Sequence, residues 1–222
     1  TVQRPHLPVT AVYALLAVAG LATVALTAQA PQPGLATIAQ FEGYPRLVSD
    51  TEARYVSSYD RTGGNNDGFE GTYSALYVDE RGEHVLFDAA GPGAVYTMWF
   101  TSRENGWAKL GFGRLRFYFD DEREPRLDID ADELFSGQRP PFVAPFVFDR
   151  FTSSGGYVSY LPLPFARRLK ITSERRVGFY NVYSHAYATT RPVESWTGRE
   201  DASAVARMWS QTGRDPKPAG DT

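Results

Sequence analysis

The chain has 222 residues, a formal net charge of −3 with neutral histidines, 42% hydrophobic and 14% aromatic residues, and no cysteine. That is enough apolar material for one main globular domain, and it rules out disulfides and thiolate metal sites. The slight acidity provides no basic field to condense on a phosphate backbone, so no nucleic acid partner is expected.

Residues 9–30 carry no charge: Arg4 and His6 precede an apolar run from Val9 to Leu26, followed by Thr27-Ala28-Gln29-Ala30. A basic lead, an apolar centre and an Ala-x-Ala end predict a signal peptide over residues 1–30, cleaved after Ala30. The competing reading is a retained anchor, because the run approaches the ~20 residues that span a bilayer. Alanine richness and the small-residue end favour cleavage. The expectation is therefore a secreted or periplasmic protein with no stable membrane anchor, beginning with a lead-in over residues 31–50.

Ser57 to Gly68 (Ser-Ser-Tyr-Asp-Arg-Thr-Gly-Gly-Asn-Asn-Asp-Gly) places two carboxylates, a guanidinium and two amides among three glycines. Glycine allows sharp turns and close approach of a ligand to the main chain, while Asp60, Arg61, Asn65, Asn66 and Asp67 supply acceptors and donors. Such a loop suits a polyhydroxylated ligand. The same residues are common turn formers, and Asn66-Asp67-Gly68 alone would pass as a hairpin connection. An Asp60–Arg61 ion pair at the loop entrance is what a plain turn would not need.

From Thr72 onward the dominant period is two. Thr72 to Val78, Ala94 to Phe100, Leu115 to Phe119, Arg126 to Asp130, Tyr157 to Leu161, Arg168 to Thr172 and Gly178 to Tyr187 all read as strands, the third and fourth forming a hairpin. Short strands between Gly/Pro turns predict an all-β, jelly-roll sandwich over residues 51–190. Helical spacing is confined to Glu200–Gln211 and one turn at Asp132–Phe135. Residues 191–222 read as a helix followed by a polar, Pro-containing linker.

Asp128-x-Asp130-x-Asp132 resembles the start of a calcium loop, but Glu133 stands where Gly is needed and Arg139 where the bidentate Glu belongs. Neither a metal nor a cofactor is expected. On a strand, Asn181, Tyr183 and His185 share one face and can all hydrogen-bond a ligand or a neighbouring loop. Of the tryptophans able to stack on a sugar ring, Trp107 in a polar stretch is the exposed candidate, and Trp99, inside an apolar run, reads as core.

Ser57 to Asn65, Gly91 to Phe100, Phe117 to Asp120, Phe135 to Gly137 and Ser154 to Ala166, in that order, resemble one family. It is the former domain of unknown function 2961, whose characterised members form glycoside hydrolase family 172: retaining enzymes acting on difructose dianhydride and D-arabinofuranosyl linkages. The resemblance implies a double jelly roll of which this chain holds the first, assembly as homotrimers or hexamers, and catalytic glutamates in the later half. Glu70 is the nearest candidate within the chain. Two functions follow: the N-terminal half of a secreted furanoside hydrolase, with Asp60, Arg61, Asn65, Asn66, Asp67, Trp107 and His185 contacting sugar, or a non-catalytic carbohydrate-binding or structural jelly roll.

Overall fold

The computed structural model describes residues 32–45, 47–101 and 110–215. The expected leader and Trp107 lie outside these residues. Thirteen strands follow in order: β1 (Thr51–Ser57), β2 (Tyr77–Val78), β3 (His84–Ala90), β4 (Gly93–Thr101), β5 (Arg114–Phe119), β6 (Leu127–Asp130), β7 (Gln138–Arg139), β8 (Phe142–Val143), β9 (Val147–Phe148), β10 (Tyr157–Ser159), β11 (Leu163–Phe165), β12 (Arg168–Ser173) and β13 (Phe179–Tyr187). Three short helices accompany them: α1 (Leu35–Ala39), α2 (Ala131–Leu134) and α3 (Ser203–Trp209). One sheet runs β1-β13-β4-β10-β9 with β11 also on β4, a second runs β2-β3-β12-β5-β6, and β7 pairs with β8. The pairings are antiparallel, as expected for an all-β sandwich.

The sequence alternation sets which face is buried. On β4, Met98 and Phe100 are fully buried, whereas Thr97 and Trp99 on the opposite face stay partly exposed. On β13, Tyr180, Val182 and Ser184 are buried between half-buried neighbours. The second sheet contributes Leu86, Phe117, Phe119, Leu169 and Ile171 to the same core. Each such side chain contributes about 1.5–3 kcal/mol by leaving water.

The outward face of the second sheet holds a polar cluster. Glu83, 9% exposed, accepts hydrogen bonds from Arg116 Nη1, Tyr118 Oη and Thr172 Oγ1. Arg116 also pairs with Asp128, so the charges are mutually compensated.

Several sequence expectations need correcting. Thr72–Val78 is a strand only at Tyr77–Val78: Gly71 takes a left-handed φ of 78°, Ser74 N–H donates back to Gly71, and Ser74 Oγ is tied to the Gly178 carbonyl. Strands β1 and β3 were not expected. The three aspartates resembling a calcium loop have separate structural tasks. Asp128 pairs with Arg114 and Arg116, Asp130 caps α2 through the Asp132 and Glu133 amides, and Asp132 accepts from Leu110 N–H.

The segments flanking the strands are held to the sandwich. Trp196, 3% exposed, stacks on Phe119, and its carbonyl accepts from Arg126 Nη1 at 2.6 Å. Trp209 of α3 donates its indole N–H to the Ile38 carbonyl of α1 at 3.1 Å.

Candidate functional site

The outward face of the first sheet carries a cleft of about 480 Å³. Cross-strand pairing builds its floor: Ser57 of β1 faces Asn181 of β13, which faces Trp99 of β4. Residues paired across antiparallel strands share a face, so an acceptor, an amide and an indole form one row. Tyr55, Tyr59, Phe69 and Phe179 supply aromatic walls, and Asp67 and Thr101 add polar groups. Phe69 and Phe179 meet edge to face at 4.8 Å.

The loop bordering this cleft leaves β1 and returns along β13. Ser58 N–H donates to the Tyr180 carbonyl and Ser58 Oγ accepts from Tyr180 N–H, stapling its start. Its end passes so close to β13 that a Cβ on Gly68 would lie 2.6 Å from the Gly178 carbonyl oxygen. Between these points Asp60 organises the backbone. Its carboxylate accepts from Thr62 N–H at 2.9 Å, Thr62 Oγ1 at 2.7 Å and Asn66 N–H at 3.1 Å, and its own N–H donates to Asp67 Oδ1 at 2.8 Å. These hydrogen bonds, the Thr62 hydroxyl first, hold its pKa down at about 2.

The expected Asp60–Arg61 ion pair does not form. Arg61 instead lies over the rings of Tyr59 and Tyr73, at 5.3 and 5.2 Å, with Nη2 on the Ser57 carbonyl. Asn66 donates to Thr72 Oγ1 at 3.1 Å, and Asn65 is exposed. Tyr180, which also lines the cleft, is almost fully buried, and that burial pushes its phenol up to about 12 against the opposing pull of Arg61.

Of the residues singled out from sequence, Asp67 lines the cleft, whereas Asp60, Arg61, Asn65 and Asn66 belong to the loop beside it. His185 lies farther along β13, and Trp107 is outside the described residues. Glu70 does not line the cleft, and its carbonyl accepts from Arg176 Nη1. Among the described residues, Asp67 is the one carboxylate that lines it.

Trp99 corrects the sequence reading: it is not core but a partly exposed part of the cleft floor. The signal was available, since Thr97, Trp99 and Thr101 alternate with the inward Met98 and Phe100. An indole face beside a carboxylate and an amide can stack on the C–H groups of a sugar ring while hydrogen-bonding its hydroxyls.

A comparison with curated proteins gives no match. Residues 49–204, from the approach to β1 into α3, match the family described as GH172 first beta-sandwich domain. A sandwich with an aromatic, hydroxyl-compatible cleft and this match over most of its length lead to one assignment: the chain belongs to glycoside hydrolase family 172 and carries its first β-sandwich domain.

Proposed function

We propose that this chain is the N-terminal half of a secreted retaining glycoside hydrolase acting on D-arabinofuranoside or fructofuranoside linkages, and that its cleft holds the sugar. The observation carrying this reading is the row Ser57–Asn181–Trp99 with Asp67 beside it. Furanose rings offer vicinal hydroxyls, each both donor and acceptor, and an apolar C–H face; the cleft supplies a complement to each.

Retaining hydrolysis requires two carboxyl groups ~5–5.5 Å apart. With Asp67 as the single carboxylate lining the cleft among the described residues, the proposal assigns the chemistry to glutamates in a further domain, within a homotrimer or hexamer. The same observation favours the second reading, a carbohydrate-binding domain without hydrolysis.

Calorimetric titration with furanosyl and pyranosyl oligosaccharides, alongside hydrolysis of aryl arabinofuranosides and fructofuranosides, tests both. Binding selective for furanosides with no more than trace turnover is expected of this chain. Preference for pyranosides would overturn the substrate assignment. Robust turnover would place the catalytic pair within this chain. Two-domain protein that binds furanosides but never hydrolyses them would establish the second reading.

A further inference from the structure

The cleft does not end abruptly. Asn181 lines it, and Tyr183 and His185 follow on the same face of β13 at intervals of about 6.8 Å. Tyr55, a cleft wall that is 61% exposed, is the direct cross-strand partner of Tyr183, so cleft and strip share a side chain row. Across the sheet Tyr183 faces Thr97, which is also partly exposed. Tyr183 Oη and His185 Nε2 are hydrogen-bonded at 3.0 Å, and the imidazole packs against Tyr96 with ring centroids 4.8 Å apart. The strip closes at Tyr187, whose buried hydroxyl is taken up by Tyr96 at 2.7 Å.

The chemistry of this strip is uniform. Tyr55, Thr97, Asn181, Tyr183 and His185 include no carboxylate and no permanently charged cation. Burial, and secondarily the nearby Arg191, depress the imidazole's pKa and favour its neutral form. The surface therefore presents aromatic faces alternating with neutral donors and acceptors, which fits a neutral polyhydroxylated chain.

Resting on the reading of the cleft as a furanoside site, we infer that its ligand is an oligomer and that the chain continues from the cleft along β13, with Tyr55, Tyr183 and His185 forming a second sugar-binding subsite. The continuity of Tyr55 and Tyr183 selects this occupant: a chain seated between Trp99 and Asn181 meets the partly exposed Thr97, Tyr183 and His185 next in that direction.

Titration of the protein with a furanosyl disaccharide and the corresponding hexasaccharide tests the inference. The hexasaccharide should bind at least about tenfold more tightly, equivalent to ~1.4 kcal/mol. Tyr183→Phe and His185→Gln, both outside the cleft lining, should each weaken the hexasaccharide about five- to tenfold, leaving disaccharide affinity and melting temperature unchanged. Val78→Ala, on the other sheet, should change neither. Equal affinities for the two lengths with silent variants would overturn the second subsite, as would variants that weaken both ligands alike. If neither length binds while the protein is folded, the furanoside reading of the cleft itself fails.

Discussion

The indole of Trp99 occupies the space that a side chain at Gly156 would need: a Cβ there would lie 2.0 Å from Trp99 Nε1. Gly156 immediately precedes β10, the strand paired with β4 beside Trp99. Gly156→Ala should force the indole out of its place, weakening sugar binding at least about tenfold and costing ~1–3 kcal/mol of stability through overpacking. Tryptophan emission, titration calorimetry and urea unfolding together check this. Unchanged affinity with a shifted indole would remove Trp99 from the binding surface.

The Asp60 carboxylate should titrate near pH 2. Because its folded pKa is held below the usual value of 3.8, its contribution to loop order is fully present above about pH 4 and disappears as pH falls toward 2. Carbon-detected NMR of the carboxyl reports the midpoint, and amide exchange at Thr62 and Asn66 should accelerate over the same interval. Asp60→Asn should loosen the loop at neutral pH, lowering melting temperature and sugar affinity together. A midpoint close to 4 would show that the three hydrogen bonds do not persist in solution.

Glu83→Ala should be among the most destabilising single changes on the outer face of the second sheet, at about 3 kcal/mol. It strips partners from Arg116, Tyr118 and Thr172 together. Glu83→Gln retains an acceptor and should cost less. Urea unfolding monitors both, and equal costs would mean that the charge alone matters.

Asn181→Ala should lower affinity about five- to 150-fold by removing an amide from the cleft floor. Asn65→Ala, in the exposed part of the loop, should leave affinity unchanged. Calorimetry of the two variants separates floor from rim, and the reverse pattern would move the binding site outward onto the loop.

The strands that could be read from sequence are those with sustained apolar or alternating runs: β4, β5, β6, β10, β12 and β13. Strand β1 escaped because it lies at a sheet edge, with polar Thr51, Glu52 and Arg54 and exposure on both faces, so no side of it carries a core pattern. Tyr73, Ala75 and Tyr77 alternate as a strand would, yet the left-handed turn at Gly71 and the Ser74–Gly178 contact override the period. The site was only partly legible for a related reason. Gly, Asn and Asp identify a shaped loop, but which carboxylate faces a ligand depends on long-range register: Asp67 reaches the cleft while Asp60 is consumed by the loop's own amides. Likewise, Ser57, Asn181 and Trp99 become neighbours only through sheet pairing between distant segments.

The stapling of the loop at Ser58–Tyr180, with Gly68 packed closely on Gly178 at its other end, has an evolutionary consequence. Both ends sit at the start of one strand, so the closure distance is set by that strand whatever lies between them. Doubling the length of such a loop adds only about 0.6 kcal/mol of closure entropy, whereas altering the row beneath it would disturb three strands. Insertions and exchanges between Tyr59 and Asp67 are therefore an inexpensive route to new sugar preferences, with the pairing of Ser57, Asn181 and Trp99 inherited unchanged.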